Sequence, residues 1–205
     1  MQDLDTIMGL APVIPVLTVE RVEDAAPIAQ ALVAGGLPVL EVTLRTPAAL
    51  DVIREMRQVD GAIVGAGTVL DPRQLDLTLE AGVEFVVSPG LTEALAIAAV
   101  ASGAQLLPGA VTASEIMRAN DLGFSRLKFF PAASSGGLPA IRSYAAVFPQ
   151  TRFCPTGGIT AQDATQWLAQ SNVACVGGSW LVAAGATPAE IEAKARDAAA
   201  LRSLR

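Results

Sequence analysis

Apolar residues in this chain come in short runs, and each run is followed by a longer stretch with apolar positions at helical spacing. The first run, Val13-Ile14-Pro15-Val16-Leu17, reads as a buried strand in which Pro15, lacking a donor, predicts a bulge or a strand end. Residues 22–34 then set Val22, Ala25, Ala26, Ile28, Ala29, Leu32 and Val33 on one helical face and stop at Gly35-Gly36. The unit repeats. Val39 to Leu44 is a strand, and Thr46-Pro47 is a cap with a first-turn proline that predicts a helix to about Gln58. Ala62 to Thr68 leads to a helix from Asp71-Pro72 to near Gly82, and Glu84 to Ser88 leads past Pro89-Gly90 to a helix over 92–102. Gln105 to Pro108 precedes the capping-box pattern Thr112-Ala113-Ser114-Glu115, whose helix stops near Gly123.

The sixth run is Arg126-Leu127-Lys128-Phe129-Phe130-Pro131, followed by a small-residue loop and a helix over 138–147. Arg152 to Pro155 meets Thr156-Gly157-Gly158, and a box-like start from Thr160 to Asp163 opens the next helix. The eighth strand is expected over 173–176, meeting Gly177-Gly178-Ser179, and Thr187-Pro188-Ala189-Glu190 starts the last helix. Residues 1–10, with Leu4, Ile7 and Met8 against Asp3 and Asp5, predict a short helix covering one end. Eight strand-helix units without a dividing linker predict an α/β fold, a single (β/α)8 TIM barrel spanning residues 1–205. An open doubly wound sheet is the rival. It favours a glycine-rich first turn, and the first turn here, Thr18-Val19-Glu20-Arg21, has no glycine.

Composition narrows the function. The net charge of -6 and the lack of a basic stripe argue against nucleic-acid partners. Although the chain is 52% hydrophobic, no long window lacks both charges and turn signals, so a membrane span is not expected. The acidic start, Met1-Gln2-Asp3-Leu4-Asp5, does not resemble a signal peptide, and Cys154 and Cys175 on neighbouring strands fit a reduced, cytoplasmic setting. Histidine is absent altogether, which removes Ser-His-Asp and Cys-His systems and imidazole metal sites. Acid-base work falls to Glu, Asp, Lys, Tyr, Cys or water.

Barrel active sites lie at the C-terminal ends of the strands. The polar residues there are Glu41, Arg45, Thr68, Ser88, Lys128 and Thr156. Lys128 is one of two lysines, and the other, Lys194, lies in a charged helical segment. A lysine taken out of water must be paired, hydrogen-bonded or neutral, and the neutral amine attacks carbonyls. Glu41, flanked by Leu40 and Val42, also needs a partner, and the register points both side chains toward one mouth. Gly157-Gly158 and Gly177-Gly178-Ser179 follow the last two predicted strands, where barrels often bind phosphate on backbone N–H groups and helix N-termini. As simple turn glycines they need no function. No Walker-type lysine accompanies them, so a phosphorylated metabolite is favoured over a nucleotide.

Leu40-Glu41-Val42-Thr43-Leu44-Arg45-Thr46, Val64-Gly65-Ala66-Gly67-Thr68-Val69, Ser88-Pro89-Gly90 and Lys128-Phe129-Phe130-Pro131-Ala132 resemble the 2-keto-3-deoxy-6-phosphogluconate (KDPG) aldolases. Phe153-Cys154-Pro155-Thr156-Gly157-Gly158-Ile159 and Gly177-Gly178-Ser179-Trp180-Leu181 continue the likeness across nearly the whole chain. The same family includes 4-hydroxy-2-oxoglutarate aldolases. The resemblance implies a metal-independent, cofactor-free class I aldolase of the Entner-Doudoroff pathway, a cytoplasmic homotrimer that splits the phosphorylated 2-keto-3-deoxy sugar acid into pyruvate and glyceraldehyde 3-phosphate. It puts the Schiff-base lysine at Lys128 and the proton-transfer glutamate at Glu41. Arg45, Thr68, Pro89 and Thr156 become substrate-binding residues, with phosphate contacts around Gly157, Gly158, Gly178 and Ser179. Galactonate-type relatives usually differ over Thr43-Leu44-Arg45-Thr46, which favours the gluconate-type substrate. An aldolase for the 6-phosphogalactonate analogue, a phosphosugar isomerase with Glu41 as base, and a non-catalytic phosphate-binding barrel are the alternatives.

Overall fold

The computed structural model describes residues 3–201. Helix α1 (Leu4–Gly9) opens the chain, its first turn capped by the Asp3 carboxylate, which accepts from the Thr6 N–H. There follow β1 (Val13–Leu17), α2 (Ala25–Ala34), β2 (Val39–Thr43), α3 (Ala49–Met56), β3 (Ile63–Gly67) and α4 (Pro72–Glu80). Next come β4 (Phe85–Val87), α5 (Glu93–Ser102), β5 (Leu106–Leu107), α6 (Ala113–Asp121), β6 (Arg126–Phe129) and α7 (Gly137–Val147). The last elements are β7 (Arg152–Pro155), α8 (Ala164–Leu168), β8 (Val176–Gly178) and α9 (Pro188–Ala200).

All strand pairings are parallel, in a six-stranded sheet ordered β5-β4-β3-β2-β1-β8 and a β6-β7 pair. Two seams close the ring. At the first, the Lys128 N–H donates to Pro108 O at 2.8 Å and Lys128 O accepts from the Ala110 N–H at 2.9 Å, joining β6 to the end of β5. At the second, the Phe153 N–H donates to Asn172 O at 2.8 Å and Thr156 bridges Gly177, joining β7 to β8. The result is a (β/α)8 barrel.

Strand alternation divides the apolar side chains into two layers. Ile14, Val39, Phe85, Val87, Leu107, Cys154 and Cys175 pack together inside the ring, with Ile7 and Met8 of α1 plugging its N-terminal end. Asp5 of α1 ion-pairs with Arg126, the first residue of β6, and holds the plug in place. Leu40, Val42, Val64, Val86, Leu127 and Phe129 face outward into the larger layer beneath the helices. Each fully buried side chain of this kind contributes about 1.5–3 kcal/mol.

The helix starts follow the expected caps in most places. Asp71 caps α4 ahead of Pro72, Thr92 caps α5, and both halves of the capping box form at α6 and at α9. Three expectations need correction. Pro15 makes no bulge: it is the third residue of β1, at the hand-over from the ladder with β8 to the ladder with β2, where a missing donor is tolerated. Thr46 caps no helix, because its hydroxyl donates instead to Val19 O at 2.8 Å, and α3 starts at Ala49. The last strand is not 173–176 but Val176–Gly178, since the ladder forms beside β1, where the Val176 N–H donates to Pro12 O at 2.9 Å.

Candidate active site

β2 brings Glu41, and β6 brings Lys128, to the barrel interior above the apolar plug. The Lys128 ammonium nitrogen Nζ donates to Glu41 Oε1 at 2.9 Å and to Oε2 at 3.3 Å. Both residues are nearly sealed from solvent, with Lys128 6% and Glu41 3% exposed. Nζ also lies 5.3 Å from the centroid of the Phe130 ring, within cation–π distance. Desolvating two charges costs several kcal/mol per ion, and such a pair seldom stabilises a fold more than apolar packing would. A pair kept at that depth therefore calls for a chemical reason.

Glycine makes the room. Gly67 stands beside Thr43 in the β2-β3 ladder, and a Cβ on it would lie 2.2 Å from Glu41 Oε1. Gly65, one layer lower, leaves space for the Phe85 ring in the same way. The motif Gly65-Ala66-Gly67 thus has its two glycines on the inner face and its alanine on the outer one. This was the missed signal: alternate glycines in a strand mark a close approach on one face.

The other candidates lie at or just beyond the strand ends, and among the described residues none of their side chains hydrogen-bonds to the pair. Arg45 is exposed in the turn after β2 and forms no ion pair among the described residues. Thr68, directly after β3, is half-buried and held at φ 62°, a left-handed conformation that costs a threonine about 1–3 kcal/mol and is a mark of functional sites. Ser88, buried after β4, turns its hydroxyl onto Gly90 O at 2.7 Å and shapes the bend that carries Pro89. Thr156 is 6% exposed, and its N–H donates to Phe129 O at 3.0 Å, so it sits beside the end of β6.

The two glycine pairs are not equivalent. Gly157 and Gly158 have φ of 96° and 74°, a double left-handed turn that only glycine adopts without strain. Gly177 and Gly178 lie within β8 instead of in a loop after it, and Ser179 is the first exposed residue beyond. No helix opens directly there, since α9 starts at Pro188, and α8 starts at Ala164 after a turn in which the Asp163 carboxylate accepts from the Thr160 N–H. The expected helix N-termini therefore do not follow the glycines immediately. Among the described residues no group of three or more Cys, Asp or Glu side chains could hold a metal ion, and no helix is long and apolar enough to cross a membrane.

A family model described as KDPG and KHG aldolase matches residues 4–195. The chain belongs to the KDPG and KHG aldolase family. It is 57% identical over 203 residues to the 2-dehydro-3-deoxy-phosphogluconate aldolase of Zymomonas mobilis, with 98% of each chain covered. A crystal structure of that organism's 2-keto-3-deoxy-6-phosphogluconate aldolase with 3-phosphoglycerate gives a TM-score of 0.95, covering 98% of this chain and 97% of the other. Identity to the KHG/KDPG aldolase of Escherichia coli K12 is 51% over 186 residues, covering 90% and 87% of the two chains. The KDPG aldolase of Legionella pneumophila, solved with pyruvate captured at low pH as a covalent carbinolamine intermediate, is 41% identical with a TM-score of 0.94, covering 97% and 98%.

Proposed function

We propose that the protein is a class I aldolase that cleaves 2-dehydro-3-deoxy-6-phosphogluconate to pyruvate and D-glyceraldehyde 3-phosphate through an imine on Lys128. The observation that carries this reading is the direct contact of Nζ with Glu41 in a site sealed from solvent. Moving one proton from Nζ to the carboxylate yields a free amine beside a protonated acid. The amine adds to the C2 ketone, and the acid supplies the proton with which water leaves the carbinolamine. Glu41, again a carboxylate, takes the C4 hydroxyl proton as the C3–C4 bond breaks, and the bonding pair flows into the iminium to give an enamine. Glyceraldehyde 3-phosphate departs, the enamine is protonated at C3, and water returns to release pyruvate and the lysine amine. The covalent carbinolamine of pyruvate captured in the Legionella relative supports the same route here.

Arg45, exposed and without an ion pair among the described residues, is positioned to grip the substrate carboxylate. Thr68, Pro89 and Thr156 border the reacting carbons. Gly157, Gly158, Gly178 and Ser179 form the phosphate end. The same chemistry serves 4-hydroxy-2-oxoglutarate, which gives pyruvate and glyoxylate, and no step is given to a metal. The reading extends to a cytoplasmic homotrimer. It is supported by the burial of Cys154 and Cys175 and by Ile97, Val100 and Met117, apolar side chains 61%, 65% and 58% exposed on α5 and α6.

Borohydride reduction in the presence of pyruvate tests the mechanism. It should add about 72 Da, the condensation mass plus two hydrogens, to the Lys128 peptide and not to Lys194. Labelling at Lys194 alone, or full aldol cleavage by folded Lys128→Ala protein, would sink the proposal. An isomerase or a binding barrel would form no reducible imine.

A further inference from the structure

We infer that Thr18 determines substrate specificity by accepting a hydrogen bond from the substrate hydroxyl next to the phosphate, an inference that rests on the aldolase reading above. In the β1-β2 ladder Val16 lies beside Glu41 and Leu17 beside Val42, so Thr18 extends β1 opposite Thr43. Alternation places Ile14, Val16 and Thr18 on the face shared with Val39, Glu41 and Thr43. The two hydroxyls meet, with Thr18 Oγ1 and Thr43 Oγ1 3.0 Å apart. Thr43 Oγ1 also donates to Leu17 O at 2.9 Å, a carbonyl that can only accept, and this uses the single Thr43 proton. The proton between the two hydroxyls therefore belongs to Thr18. Thr43 is buried at 1% exposure, whereas Thr18 is exposed and keeps free lone pairs but no free proton. Such a hydroxyl selects a donor, which means an alcohol and not a phosphate or carboxylate oxygen.

The strand order matches the order of groups along the substrate. Glu41 on β2 serves the C4 hydroxyl, and the C6 phosphate belongs to Gly178 and Ser179 at the end of β8. β1 lies between them, paired with β2 on one side and with β8 on the other. The group left for the end of β1 is C5, whose hydroxyl is a donor. Two residues along a strand rise about 6.6 Å, so Thr18 stands one layer above Glu41 on the solvent side. The chain from C4 to the phosphate must pass there.

Condensation with two acceptors isolates this contact. D-Glyceraldehyde 3-phosphate carries the hydroxyl that becomes the one on C5, and 3-oxopropyl phosphate lacks it while keeping the phosphate. The ratio of kcat/KM for the two, each condensed with pyruvate, measures what that hydroxyl is worth. In Thr18→Val the ratio should fall about 2- to 12-fold, the size of one neutral hydrogen bond, and in Thr18→Ser it should return to the wild-type value. A Thr18→Val ratio equal to the wild-type ratio overturns the inference, and so does an equal fall in Thr18→Ser. Thr18→Ala carries the same comparison if the valine variant does not fold. Wild-type protein that condenses pyruvate with neither acceptor refutes the aldolase reading itself.

Discussion

Replacing Gly67 by alanine probes the carboxylate without touching either member of the pair. The β3 backbone at Gly67 is outside the left-handed region, so a methyl group is acceptable to the backbone and its effect comes from contact alone. The new Cβ would fall 2.2 Å from Glu41 Oε1, 2.7 Å from Cγ and 2.8 Å from Cδ, distances that carbon never holds. Glu41 must swing away, because it is the free end of a side chain while Gly67 is fixed in the ladder with Thr43. Overpacking of this kind costs about 1–3 kcal/mol. In a chain of 205 residues that is a fall in Tm of roughly 2–12 °C. The larger loss should be in turnover. With the carboxylate displaced from the 2.9 Å contact, proton transfer loses its positioned group and kcat should drop about 10²–10⁴-fold. Pyruvate release, followed with lactate dehydrogenase, reads the rate, and thermal unfolding reads the fold. Gly65→Ala is the control: its Cβ meets the Phe85 ring at 2.4 Å, so it should lower Tm while the pair stays intact. Wild-type kcat in folded Gly67→Ala protein would refute the assigned role of Glu41.

Two further tests concern the substrate arm and the helix starts. Ser179→Asp, an exposed change that adds negative charge at the proposed phosphate end, should raise KM for the phosphorylated substrate far more than for unphosphorylated 2-keto-3-deoxygluconate; equal effects in steady-state kinetics would remove the phosphate assignment. Burial pushes the Glu115 carboxyl up, but N–H groups of Thr112 and Val111 and the Thr112 hydroxyl outweigh it and hold the group below its ordinary range. The depressed value means that this stabilisation is present above the unfolded pKa, near 4.3, and is lost as pH falls through the folded value. Glu115→Gln should therefore lower urea stability at pH 7 and flatten its decline below about pH 4; a parallel decline in both proteins would contradict the capping role.

Much of the fold is legible in the sequence because short apolar runs, caps and turn glycines agree with one another. Lys128 and Glu41 stand out for a simple reason: a charge inside an apolar strand has no comfortable place except beside another charge. What fails to show is what depends on neighbours. Thr46 has the chemistry of a cap, yet its hydroxyl goes to Val19 O across a loop that pattern reasoning does not see. The apolar run 173–176 marks burial, whereas the ladder is set by the position of β1 and slides the strand onto Gly177 and Gly178. Thr18 is one threonine among many until the ladder sets it opposite Thr43 and between β8 and β2. That the ring closes through two seams of isolated bridges has no sequence signature at all.

The seams and the proposed chemistry meet at one residue. Lys128 gives its N–H to Pro108 O and its carbonyl to the Ala110 N–H, the bonds that join β6 to β5, and its backbone pairs with Cys154 of β7 on the other side. Its side chain then crosses the interior to Glu41 on β2. A free lysine side chain carries about 2 kcal/mol of rotamer entropy. Here that freedom is given up on folding, when the ring closes, so little of it remains to be lost in the proposed attack on a ketone. The plug of Ile7 and Met8 lies below the pair, and Thr18, Arg45 and Ser179 are exposed beyond the C-terminal ends of β1, β2 and β8. On the proposed reading, a substrate entering from that side places its ketone deepest, at Lys128, and its phosphate outermost, at Ser179.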